Sequence, residues 1–123
     1  VNPEKLFLSE ENVSEVVLPA FEGEIGILKD HIPLISFLKP GIIKVLLGSD
    51  EEKFYVEDGI VEFKENSLSV LTSSIFNLKD INKEAVNNSI AEAEKELSED
   101  NIDDQKRFLL NHKVEVLRSI TIN

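Results

Sequence analysis

The sequence has no cysteine, no methionine and no tryptophan, only two histidines, and 13 basic residues against 24 acidic ones. Without cysteine there is no disulfide, no thiolate metal site and no cysteine nucleophile, which is compatible with a reducing compartment. No stretch approaches the roughly 18 apolar residues of a membrane span, and no secretory signal is visible. A net charge of −11 works against nonspecific binding to nucleic acid or anionic lipid. Neither a Gly-x-x-x-x-Gly-Lys loop nor a Gly-x-Gly-x-x-Gly motif is present, so the usual phosphate cradles are absent. His31 and His112 have no convergent donors at metal-ligand spacing. Carboxylate pairs are plentiful, but nothing singles one out for acid–base work.

A chain of 123 residues makes one domain, or one small domain with an appendage. Three of the five glycines and three of the four prolines fall between Pro19 and Gly41. Short apolar runs, Ile25 to Leu28 and Ile32 to Leu38, lie between these breaks and read as strands of a compact sheet with Gly and Pro corners. Gly23 and Gly26 bracket Glu24-Ile25, where a sharp bend is expected. Pro40-Gly41 is a turn ahead of the next run, Ile42 to Leu47.

The same rhythm continues. Leu6 and Leu8, then Val13 to Pro19, read as strands before this stretch. Gly48 to Asp50, Asp58-Gly59 and Glu65-Asn66 are turns that separate Lys53 to Val56, Ile60 to Phe63 and Leu68 to Thr72. Many short strands with regular turns indicate an antiparallel β-sandwich or flattened barrel, running to about Ser74.

From Asp80 to Ile122 there is neither Gly nor Pro. Asp80 or Asn82 can cap a first helix, whose narrow apolar stripe is Val86, Ile90, Ala93 and Leu97. Ser98 to Asn101 breaks the pattern. Asn101 or Asp103 can cap a second helix reaching about Ser119. Leu110, Val114 and Leu117 form one stripe on it, Leu109 and Val116 lie beside that stripe, and Phe108 and Ile120 lie on another side. Such a wheel suits either a helix packed between two neighbours or one with two alternative docking surfaces. After Gln105, Lys106, Arg107, Lys113 and Arg118 outnumber the single acid Glu115. A basic segment on an acidic body implies an acidic partner or self-docking, with a solvated helix face as the plainer alternative. The fold class is therefore α+β: an N-terminal sandwich over residues 1–76, then a C-terminal antiparallel two-helix hairpin over 77–123.

Three runs carry a family resemblance: Gly23-Glu-Ile-Gly-Ile-Leu28, His31-Ile-Pro-Leu-Ile35 and Leu38-Lys-Pro-Gly41. With Phe54 to Phe63 and Asn66 to Thr72 they closely resemble the epsilon subunit of rotary (F-type) ATP synthases, over almost the whole chain. Val1-Asn-Pro-Glu-Lys5 is similar to the middle of that family's first strand, so a few residues are expected to precede Val1.

The resemblance implies a non-catalytic central-stalk subunit with no cofactor of its own. It would join the gamma subunit to the c-subunit rotor ring, help couple proton flow to ATP synthesis, and regulate or inhibit ATP hydrolysis through its helices. Membrane association would come only through the complex, at the cytoplasmic face of a bacterial inner membrane, with an organellar origin left open. By the same resemblance Glu22, Glu24 and His31 belong to the rotor-ring contact, and the Phe54 to Val61 side lies against gamma. Lys106, Arg107, Lys113 and Arg118 are candidates for the alpha/beta catalytic head. The family's ATP-binding motif is degenerate here: at Ile81, Asn82, Ala85 and Val86 the acid and the arginine are both replaced, which removes the phosphate partner and implies weak or absent ATP binding. Apart from the resemblance, the residues also suit a soluble acidic protein–protein adaptor. A small hydrolase is disfavoured by the lack of any nucleophile–base pair.

Overall fold

The computed structural model describes residues 6–121, with side chains over 10–120. The family-like stretch Val1 to Lys5, and the residues expected before it, lie outside the described residues. The chain divides into two compact units, one ending at Asn77 and the other beginning at Leu78.

The first unit is built from nine strands among the described residues: β1 (Leu6–Glu10), β2 (Glu15–Ala20), β3 (Gly23–Leu28), β4 (Leu34–Leu38), β5 (Gly41–Leu47), β6 (Asp50–Val56), β7 (Gly59–Lys64), β8 (Ser67–Thr72) and β9 (Ile75–Asn77). All pairings are antiparallel. One layer runs β1-β8-β7-β4 and the other β3-β2-β5-β6-β9. They meet at one corner, where Ala20 pairs with Leu38. Strand side chains alternate between faces, and the inward sets fill the space between the layers: Val16, Leu18, Ile27, Ile43, Val45, Phe54 and Val56 from one side, Leu38, Val61, Phe63, Leu68 and Val70 from the other. This is the expected sandwich.

The corners are chemically specific. At Gly59, φ is +144°, and a β-carbon there would sit 2.7 Å from the Leu71 carbonyl oxygen. Beside it the Asp58 carboxylate accepts from the Thr72 hydroxyl (3.1 Å), the Ser73 amide (2.9 Å) and the Ser73 hydroxyl (2.8 Å). The β6–β7 turn is thereby tied to the end of β8.

Two local expectations need correction. The chain does not bend at Glu24-Ile25. It turns at Phe21-Glu22, and β3 then runs unbroken with Glu24 opposite Pro19 and Leu28 opposite Glu15. Gly26 is simply an exposed strand position, and the positive φ of +127° belongs to Gly23, at the exit of the turn. The sheet also does not end near Ser74, because β9 adds three residues against Phe54 to Val56.

In the second unit a 3-10 turn (Leu78–Asp80) precedes α1 (Lys83–Leu97) and α2 (Asp104–Thr121). Asn82 caps α1, its side-chain oxygen accepting from the Ala85 amide at 3.0 Å. Asp103 does the same for α2, accepting from the Lys106 amide at 2.7 Å. Each cap satisfies an amide that has no partner within its helix. Val86, Ile90 and Ala93 of α1 and Val114 and Leu117 of α2 are buried, and the helices pack on one another. The expected stripes are there, with Leu97 and Leu110 half-buried at their margins.

Candidate functional site

The outer face of β4, β7 and β8 carries exposed apolar side chains. Phe37 pairs with Ile60, and Ile60 with Leu71, making one row across three strands. Ile35, Glu62 and Ser69 make the next row. Ile35 is 66% exposed and Phe37 62%, with Ile60 and Leu71 near 40%. Between the rows lies a shallow depression of about 250 Å³ lined by Ile35, Ile60, Glu62, Ser69 and Leu71. A soluble fold seldom leaves such contiguous apolar side chains to water unless another surface covers them. Sequence reasoning missed Ile35, Phe37 and Leu71. Of the Phe54 to Val61 stretch assigned to a partner, Phe54, Tyr55 and Val56 are buried, and Ile60 lies on this outer face. The available signal was the run Leu34-Ile-Ser-Phe-Leu38, which is apolar on both sides of the pleat.

The three rotor-ring candidates do not form one cluster. Glu22 and Glu24 are exposed beside the β2–β3 turn. His31 follows the far end of β3, in the loop leading to β4. At ~3.3 Å per strand residue, Glu24 and Leu28 alone are ~13 Å apart, and His31 lies beyond Leu28. The His31 loop is firmly tied. Asp30, at φ +67°, donates its amide to the Asn66 side-chain oxygen (2.6 Å) and accepts from the Asn66 side-chain nitrogen (3.0 Å). The Asn66 carbonyl in turn accepts from the Val13 amide at 2.9 Å. The His31 ring is exposed, with Nδ1 donating to the Ile32 carbonyl at 2.7 Å and its edge toward Phe63. Leu28 and Ile32, 64% and 74% exposed, flank it.

The basic candidates lie on α2, and three of them are engaged with α1. The Lys106 ammonium is 3.2 Å from the Glu96 carboxylate. An Arg107 guanidinium nitrogen donates to the Leu97 carbonyl at 3.4 Å. Arg118 forms an ion pair with Glu94. Lys113 is half-buried one turn before Leu117. At the degenerate nucleotide motif, Asn82 is spent as the α1 cap, Val86 is core, Ala85 is exposed and Ile81 is half-buried.

Two further groups stand out electrostatically. Glu10 on β1 is pushed up to about 7 by its side-chain hydrogen bond to Glu52, then by burial and the Glu52 charge. Tyr55, 1% exposed, has a buried hydroxyl without a hydrogen-bond partner among the described residues. Burial first, and then the charge of Glu57, push that hydroxyl well above the usual phenol range. Among the described residues no three His, Cys, Asp or Glu side chains gather as a metal site, and no helix is long and apolar enough to cross a membrane.

Residues 1–78 match the family model described as ATP synthase, Delta/Epsilon chain, beta-sandwich domain. An ATP synthase epsilon chain from Pelagibacter ubique is 60% identical over 120 residues, covering 98% of this chain and 92% of the relative. A mitochondrial ATP synthase subunit delta from Kluyveromyces lactis is 38% identical over 97 residues, covering 78% of this chain and 61% of the relative. A chain in the Euglena gracilis mitochondrial ATP synthase shares the fold, with a TM-score of 0.65 at 20% identity over 89% of this chain and 69% of that one. With a sandwich that matches the family model and a near-full-length relative at this identity, the chain belongs to the ATP synthase delta/epsilon chain family.

Proposed function

We propose that this chain is a non-catalytic central-stalk subunit of a rotary ATP synthase, docked on the gamma subunit and the rotor ring at the cytoplasmic face of a bacterial inner membrane. The observation that carries the reading is the 60% identity to an epsilon chain across nearly the whole length of both proteins. The geometry supplies the working surfaces. The row Phe37, Ile60 and Leu71, with Ile35 beside it, is the face for gamma. A close-packed two-layer core suits a part that must pass torque without deforming. Because Glu22 and Glu24 lie at the opposite end of β3 from His31, a ring contact uses one of these ends, and the other remains for gamma or solvent. The two-helix unit is the regulatory part, with Lys106, Arg107, Lys113 and Arg118 meeting acidic groups of the catalytic head.

The test is ATP hydrolysis by a catalytic head complex that lacks its own epsilon subunit, titrated with the full chain, together with co-purification on gamma. A saturable fall in rate and stable association with gamma are the expected results. No association and no change in rate overturn the reading. Association without a change in rate keeps the stalk role and removes the inhibitory one.

A further inference from the structure

Among the described residues, four other than glycine take a positive φ: Asn12 (+58°), Asp30 (+67°), Glu65 (+52°) and Asn66 (+63°). All four fall at one end of the sandwich, where three segments are laced together. The Val13 amide donates to the Asn66 carbonyl at 2.9 Å, and the Lys29 amide to the Ser14 carbonyl at 2.9 Å. Asp30 and Asn66, 36 positions apart, share two bonds of 2.6 Å and 3.0 Å through the Asn66 side chain. Backbone in this region persists only where its surroundings fix it, and such residues gather where a protein does its work.

What this corner holds is the segment from Leu28 to Pro33, every residue of which is exposed. Ile32 is 74% exposed and Leu28 64%. The segment has little freedom. Asp30 is tied at both its amide and its carboxylate, and the His31 amide donates to the Leu28 carbonyl at 3.1 Å. Pro33 fixes its own φ and restricts Ile32 to extended backbone. Ile32 leads into β4, so Ile35 of the apolar face lies within ~10 Å of it along the chain.

We propose that Asn66 is a positioning residue for assembly of the stalk. Its bond pair with Asp30 sets the His31 loop in its docked shape in advance, so that Leu28 and Ile32 continue the face of Ile35 and Phe37 onto gamma. The inference rests on the central-stalk reading above. It gives gamma the His31 end of β3 and leaves the Glu22 and Glu24 end for the ring. Apolar side chains this exposed call for an apolar cover, and the partner that covers β4 is the one their chain position reaches. A loop that holds the docked shape only part of the time weakens binding in proportion to that fraction.

The experiment uses the full chain and a gamma-containing head complex that lacks its own epsilon, with binding followed by fluorescence anisotropy. Binding is read under conditions where urea melts show each variant fully folded, so that lost stability alone leaves the affinity unchanged. Asn66→Gly permits the positive φ and removes both side-chain bonds. It is expected to bind roughly three- to ten-fold more weakly. Asp30→Gly breaks the same pair from the other side, leaves the Asn66 carbonyl for Val13, and is expected to match it. The exchange Asp30→Asn/Asn66→Asp turns the pair round, with a carboxylate at position 66 accepting from the amide groups of position 30. Both residue types tolerate this backbone, and the exchange is expected to recover the affinity of the natural chain. If the natural chain does not bind, the central-stalk reading falls and takes the proposal with it. Natural affinity in both glycine variants, or no recovery in the exchange, overturns the positioning role alone. The same variants are titrated onto the detergent-solubilised rotor ring. Weakened ring binding with gamma binding intact hands the loop to the ring and overturns the assignment to gamma.

Discussion

Gly41 lies so close to Pro19 that a β-carbon at position 41 would sit 2.5 Å from the Pro19 Cβ and 3.0 Å from its Cγ. Both residues are buried, and the contact presses the start of β5 onto the end of β2, next to the Ala20–Leu38 corner where the two layers join. The glycine of Leu-Lys-Pro-Gly is needed there for close approach, beyond its role in a turn. Gly41→Ala is expected to destabilise the sandwich by about 1–3 kcal/mol, the usual cost of overpacking. Urea unfolding should show a lower midpoint with an unchanged slope. An unchanged midpoint would mean that the proline ring moves aside freely.

How much of this was legible beforehand depends on whether the deciding force was local. Most strand runs and turns from Val13 to Thr72, one of the two cap candidates for each helix (Asn82 and Asp103) and the Val86/Ile90/Ala93 stripe follow from spacing and cap chemistry. β9 escaped because three residues after a Ser-Ser pair carry no periodicity. Only pairing with Phe54 to Val56 makes them a strand. The bend assigned to Glu24-Ile25 failed because two glycines three apart look like a turn, whereas the positive φ sits at Gly23 alone. Of the face made by Ile35, Phe37, Ile60 and Leu71, only Ile60 fell in the stretch assigned to gamma, since residue type does not say which side of a strand stays uncovered. Glu94 and Arg118 are 24 positions apart, and their pairing depends on how two helices are phased and crossed.

Tyr55 offers a test of an unpaired buried hydroxyl. Its ring packs on Phe76 with centroids 5.1 Å apart, while its oxygen has no partner among the described residues. A buried donor left unsatisfied costs free energy that an isosteric apolar residue recovers. Tyr55→Phe is expected to raise stability by about 1 kcal/mol, seen as a higher thermal midpoint. A fall of similar size would reveal a partner for the hydroxyl in solution.

The nucleotide question has a direct measurement. With Asn82 committed to the α1 cap and Val86 to the core, the Ile81 to Val86 stretch offers no guanidinium for a phosphate. Isothermal titration of the chain with ATP is expected to give no saturable heat up to millimolar concentration. Saturable binding in that range would place a nucleotide site elsewhere on the chain.

Phe37 separates docking from folding. Its side chain is 62% exposed at the β4 end of the apolar row, so a polar replacement removes little from the core. Phe37→Asp is expected to leave the thermal midpoint within about 0.5 kcal/mol of the original and to weaken association with gamma at least ~10-fold, as for a buried aromatic anchor at an interface. Undiminished association would move the gamma contact to another face of the sandwich.

Glu10 makes stability depend on pH. Its hydrogen bond to Glu52, followed by burial and the Glu52 charge, lifts its pKa from 4.5 to about 7. The folded state therefore binds a proton more tightly than the unfolded chain, so stability falls as pH rises wherever the folded state holds the extra proton. The contribution is fully present below pH 4.5 and is lost as pH passes through about 7. Glu10 is half-buried, and solvent screening reduces the effect to about 1 kcal/mol. Glu10→Gln keeps a hydrogen-bond donor facing Glu52 and does not titrate. Between pH 5 and pH 8 the natural chain is expected to lose about 1 kcal/mol more than Glu10→Gln in paired urea melts. Equal losses in the two proteins would mean that the hydrogen bond of Glu10 to Glu52 does not persist in solution.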